Sequence, residues 1–253
     1  MTSIRTWNKR RESIRARVTN PEGAYPRCLA PECGELTLAY ARKGLSKHYC
    51  RRHAEHYRRH GSYVKPSYPA RELNPYRRTA YTWLQAHADA PEVGEAVDRV
   101  RTLYWRAGRP EEAFRLAGRS PHERAKYIWG RLYMRGVDPL HVLAAWAGVE
   151  MRHGEDTRPE SRPEFRRVQV AKVLHRLAGG SHKRWERERA DGSVEVTELH
   201  KYPASRGTVL RSAGRMASWA AEPLKALLPT MRHKHRATEG HVARLPRARR
   251  RAP

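Results

Sequence analysis

All three cysteines of this 253-residue chain fall within one short segment, and their spacing restricts how that segment can fold. Four residues separate Cys28 from Cys33, and Cys50 follows sixteen residues later, three positions before His53. Two such chelating pairs supply the four ligands that a tetrahedral Zn²⁺ site requires. Because the protein would fill every coordination position, the pattern predicts one structural zinc ion rather than a catalytic metal with an open position.

Two other interpretations of these cysteines remain. They could be unpaired buried thiols beside an ordinary histidine. A disulfide framework is disfavoured because three is an odd number and the basic, polar N-terminus does not have the pattern of a secretory signal. Spacing favours His53 as the fourth ligand and leaves His56, one turn further along, as an alternative, whereas His48 and His60 are expected to face solvent or phosphate.

The residues from Cys50 to Gly61 read Cys-Arg-Arg-His-Ala-Glu-His-Tyr-Arg-Arg-His-Gly. This run resembles a zinc module of phage and mobile-element proteins, some of them HNH homing endonucleases, whose pattern is Cys-x2-His-Tyr-x-Arg-Trp-Arg-Arg-His-Gly after an upstream Cys-x4-Cys. Six residues match in register: Cys50, His53, Arg58, Arg59, His60 and Gly61. Ala54, His56 and Tyr57 depart from the pattern. The resemblance covers about residues 22–63 and implies a zinc-stabilised nucleic-acid-binding appendage.

The net charge of +26 is the second strong feature of the sequence. Residues 1–20 contribute +5 and residues 231–253 contribute +7, which leaves +14 for residues 21–230. A basic body between two basic ends indicates a polyanionic partner, and nucleic acid is favoured because each neutralised phosphate releases counterions. A membrane surface is disfavoured because neither end has a basic amphipathic helix with a large apolar face.

Two sets of basic residues are candidate nucleic-acid contacts. The first is expected to project from the helix of the zinc module towards phosphates: Arg51, Arg52, Arg58, Arg59 and His60. The second lies on a predicted helix from about Pro163 to Ala178: Arg166, Arg167, Lys172 and Arg176. Three helices followed by a hairpin is the element order of a winged helix-turn-helix, in which this helix would enter the major groove. The long loop before it counts against that arrangement.

The fold class is predicted to be mainly α, with an N-terminal zinc-finger or zinc-ribbon-like module and a helical domain carrying one β-hairpin. Val93, Ala96, Val100 and Tyr104 recur at helical spacing, and Leu140–Val149 is apolar on nearly every side. Asp191-Gly192 lies between two alternating segments, which predicts a hairpin with a type I′ turn. The expected organisation is a basic arm at 1–21, the zinc module at 22–63, a linker at 64–75, the helical domain at 76–228 with its hairpin near 183–200, and a basic disordered tail at 229–253.

Aromatic residues interleave with the basic ones, and some of them could stack on exposed bases. Tyr57 and Tyr63 are the better candidates because the zinc module is small and much of its surface must face outward. The larger aromatic residues that fall on or near apolar stripes are expected in the core: Trp83, Tyr104, Trp129 and Trp146.

Signatures of enzymes are largely missing from the sequence. It has no phosphate-binding loop and no nucleophile elbow. The ββα-metal core of homing endonucleases needs an Asn and two His, yet none of Asn8, Asn20 and Asn74 lies within a His-bearing hairpin. A nuclease built on other acids stays open, since Glu150, Glu155, Asp156 and Glu160 surround His153 in an expected surface loop. No catalytic residue is therefore assigned.

These features predict a zinc-stabilised nucleic-acid-binding protein of a phage or mobile element, with DNA favoured over RNA and a cytoplasmic location. A metal-dependent nuclease, or the targeting subunit of one, is the first alternative. A protein that packages nucleic acid or sits on structured RNA without reading sequence is the second. No membrane partner is expected, because no apolar run approaches the ~20 residues that span a bilayer. Strandedness, sequence preference and oligomeric state stay open.

Overall fold

The computed structural model divides the chain into two compact units, Met1–Pro66 and Ser67–Pro253. The structure describes residues 27–37, 48–111, 118–158, 162–179, 182–200 and 207–244, together with residue 116 and the short pieces 8–9, 11–12, 14–15, 39–40 and 44–45. Most of the described residues are helical, which confirms the predicted fold class. The expected basic arm at 1–21 lies largely outside the described residues.

The first unit contains an isolated β-bridge, a hairpin whose two strands have two residues each, and one helix. Arg27 pairs with Leu36 in an isolated antiparallel bridge. Strands β1 (Ala39–Tyr40) and β2 (Gly44–Leu45) then pair antiparallel. Helix α1 (Arg51–His60) follows and ends at Gly61, whose φ of 76° lets its amide bond back to the carbonyl of Tyr57. Glycine is favoured at such a left-handed C-terminal position because it has no Cβ.

The second unit is a bundle of helices with one hairpin. Its elements in chain order are α2 (Ala70–Ala86), α3 (Pro91–Ala107), α4 (Pro121–Met134), α5 (Pro139–Gly154), α6 (Pro163–Leu177), β3 (His182–Glu188), β4 (Val194–His200), α7 (Thr208–Ala220), a 3₁₀ turn (Glu222–Leu227) and α8 (Leu228–Arg244). Buried residues occupy every side of α5, which makes it the central helix as its composition predicted. The predicted stripe on α3 is buried too, at Val93, Ala96, Val100 and Tyr104.

Local signals place the helix starts where the sequence predicted them. Ser120 accepts a hydrogen bond from the amide of Glu123, and the Glu123 carboxylate accepts one from the amide of Ser120. This reciprocal pair satisfies two of the amides that a helix start leaves without partners. Asp138 caps the start of α5, where its carboxylate accepts a hydrogen bond from the amide of Leu140.

The hairpin forms as predicted, but its turn differs from the type I′ expectation. The last strand pair is Glu188 with Val194, so the loop contains five residues rather than two. Gly192 has a φ of 78°, whereas Asp191 is not among the described residues with positive φ, and its carboxylate accepts from the amide of Ser193. A turn followed by a left-handed glycine therefore replaces the two-residue loop.

The expected linker at 64–75 is shorter in the structure because α2 begins at Ala70. Pro75 lies inside this helix, where it cannot donate to the carbonyl four residues before it. Tertiary packing offsets that loss, because Tyr68 and Leu73 on either side of the helix start are buried in the core.

The expected disordered tail at 229–253 is also different, because α8 extends from Leu228 to Arg244. Met231 is fully buried, and His235 is buried with its Nδ1 3.2 Å from the hydroxyl of Thr79. Few apolar residues of this helix are available for packing, and basic residues surround them in the sequence. The sequence therefore read as a charged tail rather than as a helix of the core. Residues 245–253 lie outside the described part of the chain.

Candidate metal centre

The first two candidate ligands are brought together by a tight loop. The amide of Cys33 donates to the carbonyl of Ala30 at 3.1 Å, which closes a turn with Pro31 and Glu32 in the middle. Glu32 adopts a left-handed φ of 61°, an uncommon conformation for a residue with a side chain. The amide of Cys28 donates to the carbonyl of Glu35, so both ends of the loop are fixed.

The second two candidate ligands lie at the beginning of α1. Cys50 is the N-cap residue of the helix, and His53 lies in its first turn. Residues three apart on a helix lie on the same face, so both side chains point to one place. The amide of Leu29 donates to the carbonyl of His48 at 2.8 Å and thereby joins the two ligand-bearing segments.

The four ligand atoms lie within 4.8 Å of one another. Cys33 Sγ is 4.0 Å from Cys50 Sγ, and His53 Nδ1 is 3.4 Å from Cys28 Sγ and 3.3 Å from Cys50 Sγ. A tetrahedral zinc ion with ordinary bond lengths separates two sulfur ligands by about 3.8 Å and sulfur from nitrogen by about 3.5 Å. Cys28, Cys33, Cys50 and His53 are thus positioned to bind one metal ion, and Nδ1 is the histidine atom that faces it.

The surroundings of this site favour the metal-binding protonation state at Cys28 and His53, whereas at Cys50 they oppose the thiolate. Burial raises the pKa of the Cys28 thiol, but hydrogen bonds from the amides of Cys50 and Ala30 outweigh burial and hold that pKa below its ordinary value. Burial, and then the neighbouring Arg52, lower the pKa of His53 and keep its imidazole neutral. Burial raises the pKa of Cys50 next to the Cys28 thiol. A thiolate and a neutral imidazole are the forms that bind zinc.

Among the described residues of the first unit, few apolar side chains are buried apart from these ligands. Its described core consists of Cys28, Ala30 and Cys50, with Cys33 and Tyr49 packed against them. A module of this size needs a source of stability besides its apolar core, and the binding of structural zinc supplies a free energy on the order of 10 kcal/mol or more. The donor set therefore fits a structural metal whose binding holds α1 against the Cys28–Cys33 loop.

His56, the alternative fourth ligand, has a different role. Its Nδ1 is 2.8 Å from the carbonyl oxygen of Ser62, to which it donates a hydrogen bond, and its ring stacks on that of His60 at 4.3 Å. The structure therefore brings His53 rather than His56 to the three cysteines.

Four predicted contact residues share one side of α1. Successive helical residues are about 100° apart, so Arg51, Arg52, Arg58 and Arg59 fall within an arc of about 120° that we call the α1 arginine face. Arg51, Arg52 and Arg59 are exposed, and Arg51 pairs with Glu55 at 3.2 Å. His53 points to the opposite side of the helix, towards the ligand cluster. His60 also lies outside this face, stacked on His56.

Tyr57 and Tyr63, the expected stacking residues, are engaged with each other and with Tyr49. Tyr63 stacks on Tyr49 with ring centroids 3.4 Å apart and on Tyr57 at 4.6 Å. Both faces of the Tyr63 ring are therefore covered. Sequence reasoning did not single out Tyr49, whose only signal is its position next to the ligand Cys50.

The second predicted contact set does not form a continuous exposed face on α6. Arg166 pairs with Glu150 at 2.7 Å, and the amine of Lys172 donates to the hydroxyl of Ser67 at 2.5 Å. Burial, and then repulsion by Arg176, lower the pKa of Lys172 to about 8. Arg176 is exposed and Arg167 is half-buried. A helix in the major groove needs a free side, but buried residues surround most of α6.

The acidic residues near His153 are held by other side chains. The carboxylate of Glu150 binds Arg166, and that of Glu155 accepts from Tyr76 and Arg236. Asp156 is almost fully buried and accepts from Tyr68 and Arg158. Contrary to the expectation of a surface loop, residues 150–154 belong to α5, and Glu160 lies outside the described residues. Within the described ranges, no second group of three or more such residues is close enough to hold a metal ion.

The comparisons with known proteins add no relative. No family model, no curated protein and no solved structure matches the chain. Among the described residues, no helix is both long and apolar enough to cross a membrane.

Proposed function

We propose that this chain is a zinc-stabilised nucleic-acid-binding protein with DNA as its favoured partner. The observation that carries the proposal is the α1 arginine face, which lies on the helix whose first turn supplies two metal ligands. Metal binding on one side of this helix would fix the arginines on the other side. The resemblance of residues 22–63 to modules of phage and mobile-element proteins supports a phage or a mobile element as the biological setting.

Arginines in a fixed array suit the phosphate backbone. Each guanidinium that neutralises a phosphate releases condensed counterions, so affinity falls steeply as salt rises. An α-helix enters the major groove of B-form DNA, whereas the major groove of A-form RNA is too deep and narrow for side chains to read. This difference supports DNA over RNA as the partner of an exposed helix.

The test is a salt-series titration of zinc-loaded protein against labelled duplex DNA, single-stranded DNA and RNA of mixed sequence. We compare the wild type with a quadruple alanine variant of the α1 arginine face (Arg51→Ala, Arg52→Ala, Arg58→Ala, Arg59→Ala). The matched control removes four exposed arginines of the second unit: Arg71, Arg78, Arg101 and Arg124.

We expect the first variant to lower the slope of log affinity against log salt on duplex DNA by about 3–4, at roughly 0.9 for each lost phosphate contact. The control should change it much less. Chelation of zinc should mimic the first variant, because the helix loses its anchor. Equal effects of the two variants, or binding unaffected by complete zinc removal, would overturn the proposal.

The packaging alternative makes a different prediction within the same assay. A protein that only covers nucleic acid binds all duplex sequences equally, with the same steep salt dependence. The nuclease alternative gains no support from the acids near His153, because each described acid there already has a cationic or hydroxyl partner.

A further inference from the structure

A cleft of about 520 Å³ opens in the second unit between α3, α4 and α7. Its walls include Leu103 from α3, Trp129 from α4, and Met216 and Trp219 from α7. This volume lies within the range of about 300–1,000 Å³ that is typical of small-ligand sites. The cleft therefore has the size and the apolar lining of a binding site.

The rim of the cleft is strongly basic. Arg106, His122, Lys126 and Arg215 contribute to it, and none of the described lining residues is acidic. The acid nearest to Lys126 on its own helix is Glu123, which is held by the amide of Ser120 in the helix cap. Cations concentrated around a cleft with apolar walls attract an anion more strongly than the same charges spread over a surface.

An exposed tryptophan makes the cleft suited to a flat ring. Trp219 is 45% exposed, and its ring is held by the Arg99 guanidinium, which lies 5.4 Å from the ring centroid and donates to the Trp219 carbonyl at 3.0 Å. Trp129 also lines the cleft but is almost fully buried, so Trp219 supplies the ring surface that is open to a ligand.

We propose that this cleft binds one unstacked nucleotide of a single-stranded nucleic-acid segment, with its base against Trp219 and its flanking phosphates at Arg106, Lys126 and Arg215. This inference rests on the proposed nucleic-acid function and adds a second contact surface of a different kind. Aromatic side chains stack on any base, and basic grooves follow the backbone of single strands. An acidic peptide would match the rim but would leave the indole wall without a planar partner.

The test compares the affinity for a mixed-sequence single-stranded DNA 12-mer with that for the same sequence as a duplex. Trp219→Ala removes the stacking ring, and Arg215→Ala removes an exposed cation of the rim. Trp105→Ala is the matched control, since Trp105 is 82% exposed on α3 and does not line this cleft. Thermal unfolding checks that each variant is folded, and a titration with a mononucleotide is run in parallel.

We expect Trp219→Ala to weaken single-strand binding about 10-fold or more while duplex binding stays within about two-fold. Arg215→Ala should lower the single-strand salt slope by about 0.7. The cleft proposal alone fails if both cleft variants bind single strands as the wild type does, or if Trp105→Ala has the same effect. If the cleft variants lose binding of the mononucleotide but bind the single strand as the wild type does, the cleft is not a site for a nucleic-acid strand. If the wild type binds no nucleic acid at all, the proposed function fails as well.

Discussion

At the scale of single residues, the metal centre depends on which of two histidines on the same helix faces the cysteines. His53 Nδ1 lies within 3.4 Å of two thiol sulfurs, whereas His56 donates to the carbonyl of Ser62. Three residues shift His56 by about 4.5 Å along the helix axis relative to His53, away from the cysteines and towards Ser62 beyond the helix end.

We therefore expect His53→Ala and His56→Ala to behave differently towards zinc. Loss of a residue that only orients a metal ligand weakens metal binding by roughly 10–100-fold. Because His53 is itself a candidate ligand, His53→Ala should weaken zinc binding by more than this. His56→Ala should keep one zinc per chain and lose only the hydrogen bond to Ser62 and the ring stack on His60. Competition with a coloured chelator measures both affinities, and visible spectra of the Co²⁺-substituted proteins report whether three thiolates still bind. Zinc lost from His56→Ala but kept by His53→Ala would reverse the assignment.

At the scale of elements, the second unit depends on a close approach between α6 and α7. A Cβ built on Gly214 of α7 would collide with the carbonyl oxygen of Arg167 and would come within 2.7 Å of the Arg167 Cα. Backbone atoms of a helix cannot move aside as a flexible side chain can. The two helices can therefore pack at this distance only because position 214 has no side chain.

Gly214→Ala should consequently destabilise the second unit by about 1–3 kcal/mol or more, because the helices must move apart. Gly94→Ala on α3 is the control, since nothing lies within 4 Å of its added Cβ. That change should instead stabilise the fold by roughly 0.5–1 kcal/mol, through the higher helix propensity of alanine. Urea unfolding followed by circular dichroism measures both values. Equal effects of the two substitutions would show that the helices do not meet at Gly214.

At the scale of the whole molecule, the two units have different sources of stability. The second unit has an extensive apolar core with contributions from α2 to α8. The described core of the first unit consists of three buried residues, two of which are metal ligands. Hydrophobic burial thus stabilises the second unit, whereas a bound metal would stabilise the first through residues that make up most of its described core.

Chelation should therefore unfold the first unit and leave the second folded. All three cysteines of the chain are candidate ligands, so we expect none to react rapidly with iodoacetamide in the zinc-loaded protein and all three to react after chelation. The main thermal transition of the second unit should stay within about 2 °C, which is less than 1 kcal/mol for a unit of this size. Mass spectrometry counts the modified thiols and calorimetry follows the transition. Re-addition of zinc before alkylation is the control. Cysteines that stay protected after complete chelation would contradict a metal-dependent module.

The sequence by itself determined the features that depend on local patterns. Four candidate ligands at fixed spacing identified the candidate metal site, since short chelating loops need no distant contact to place their donors. The cap at Ser120, the apolar period of α3 and the continuous apolar run of α5 identified their helices for the same reason. The burial of Trp83, Tyr104, Trp129 and Trp146 also followed from their positions on or near such stripes.

Only the tertiary structure decided which polar residues are free to act. Lys172, Arg166 and Asp156 have partners 105, 16 and 88 residues away in the chain, and no local pattern reveals such pairs. The helical start of the expected tail depends on a place for Met231 in a core built by distant helices. The cleft at Trp219 exists only because α3, α4 and α7 meet there. Local chemistry is fixed by neighbours in the chain, whereas burial and pairing are fixed by packing between segments far apart in it.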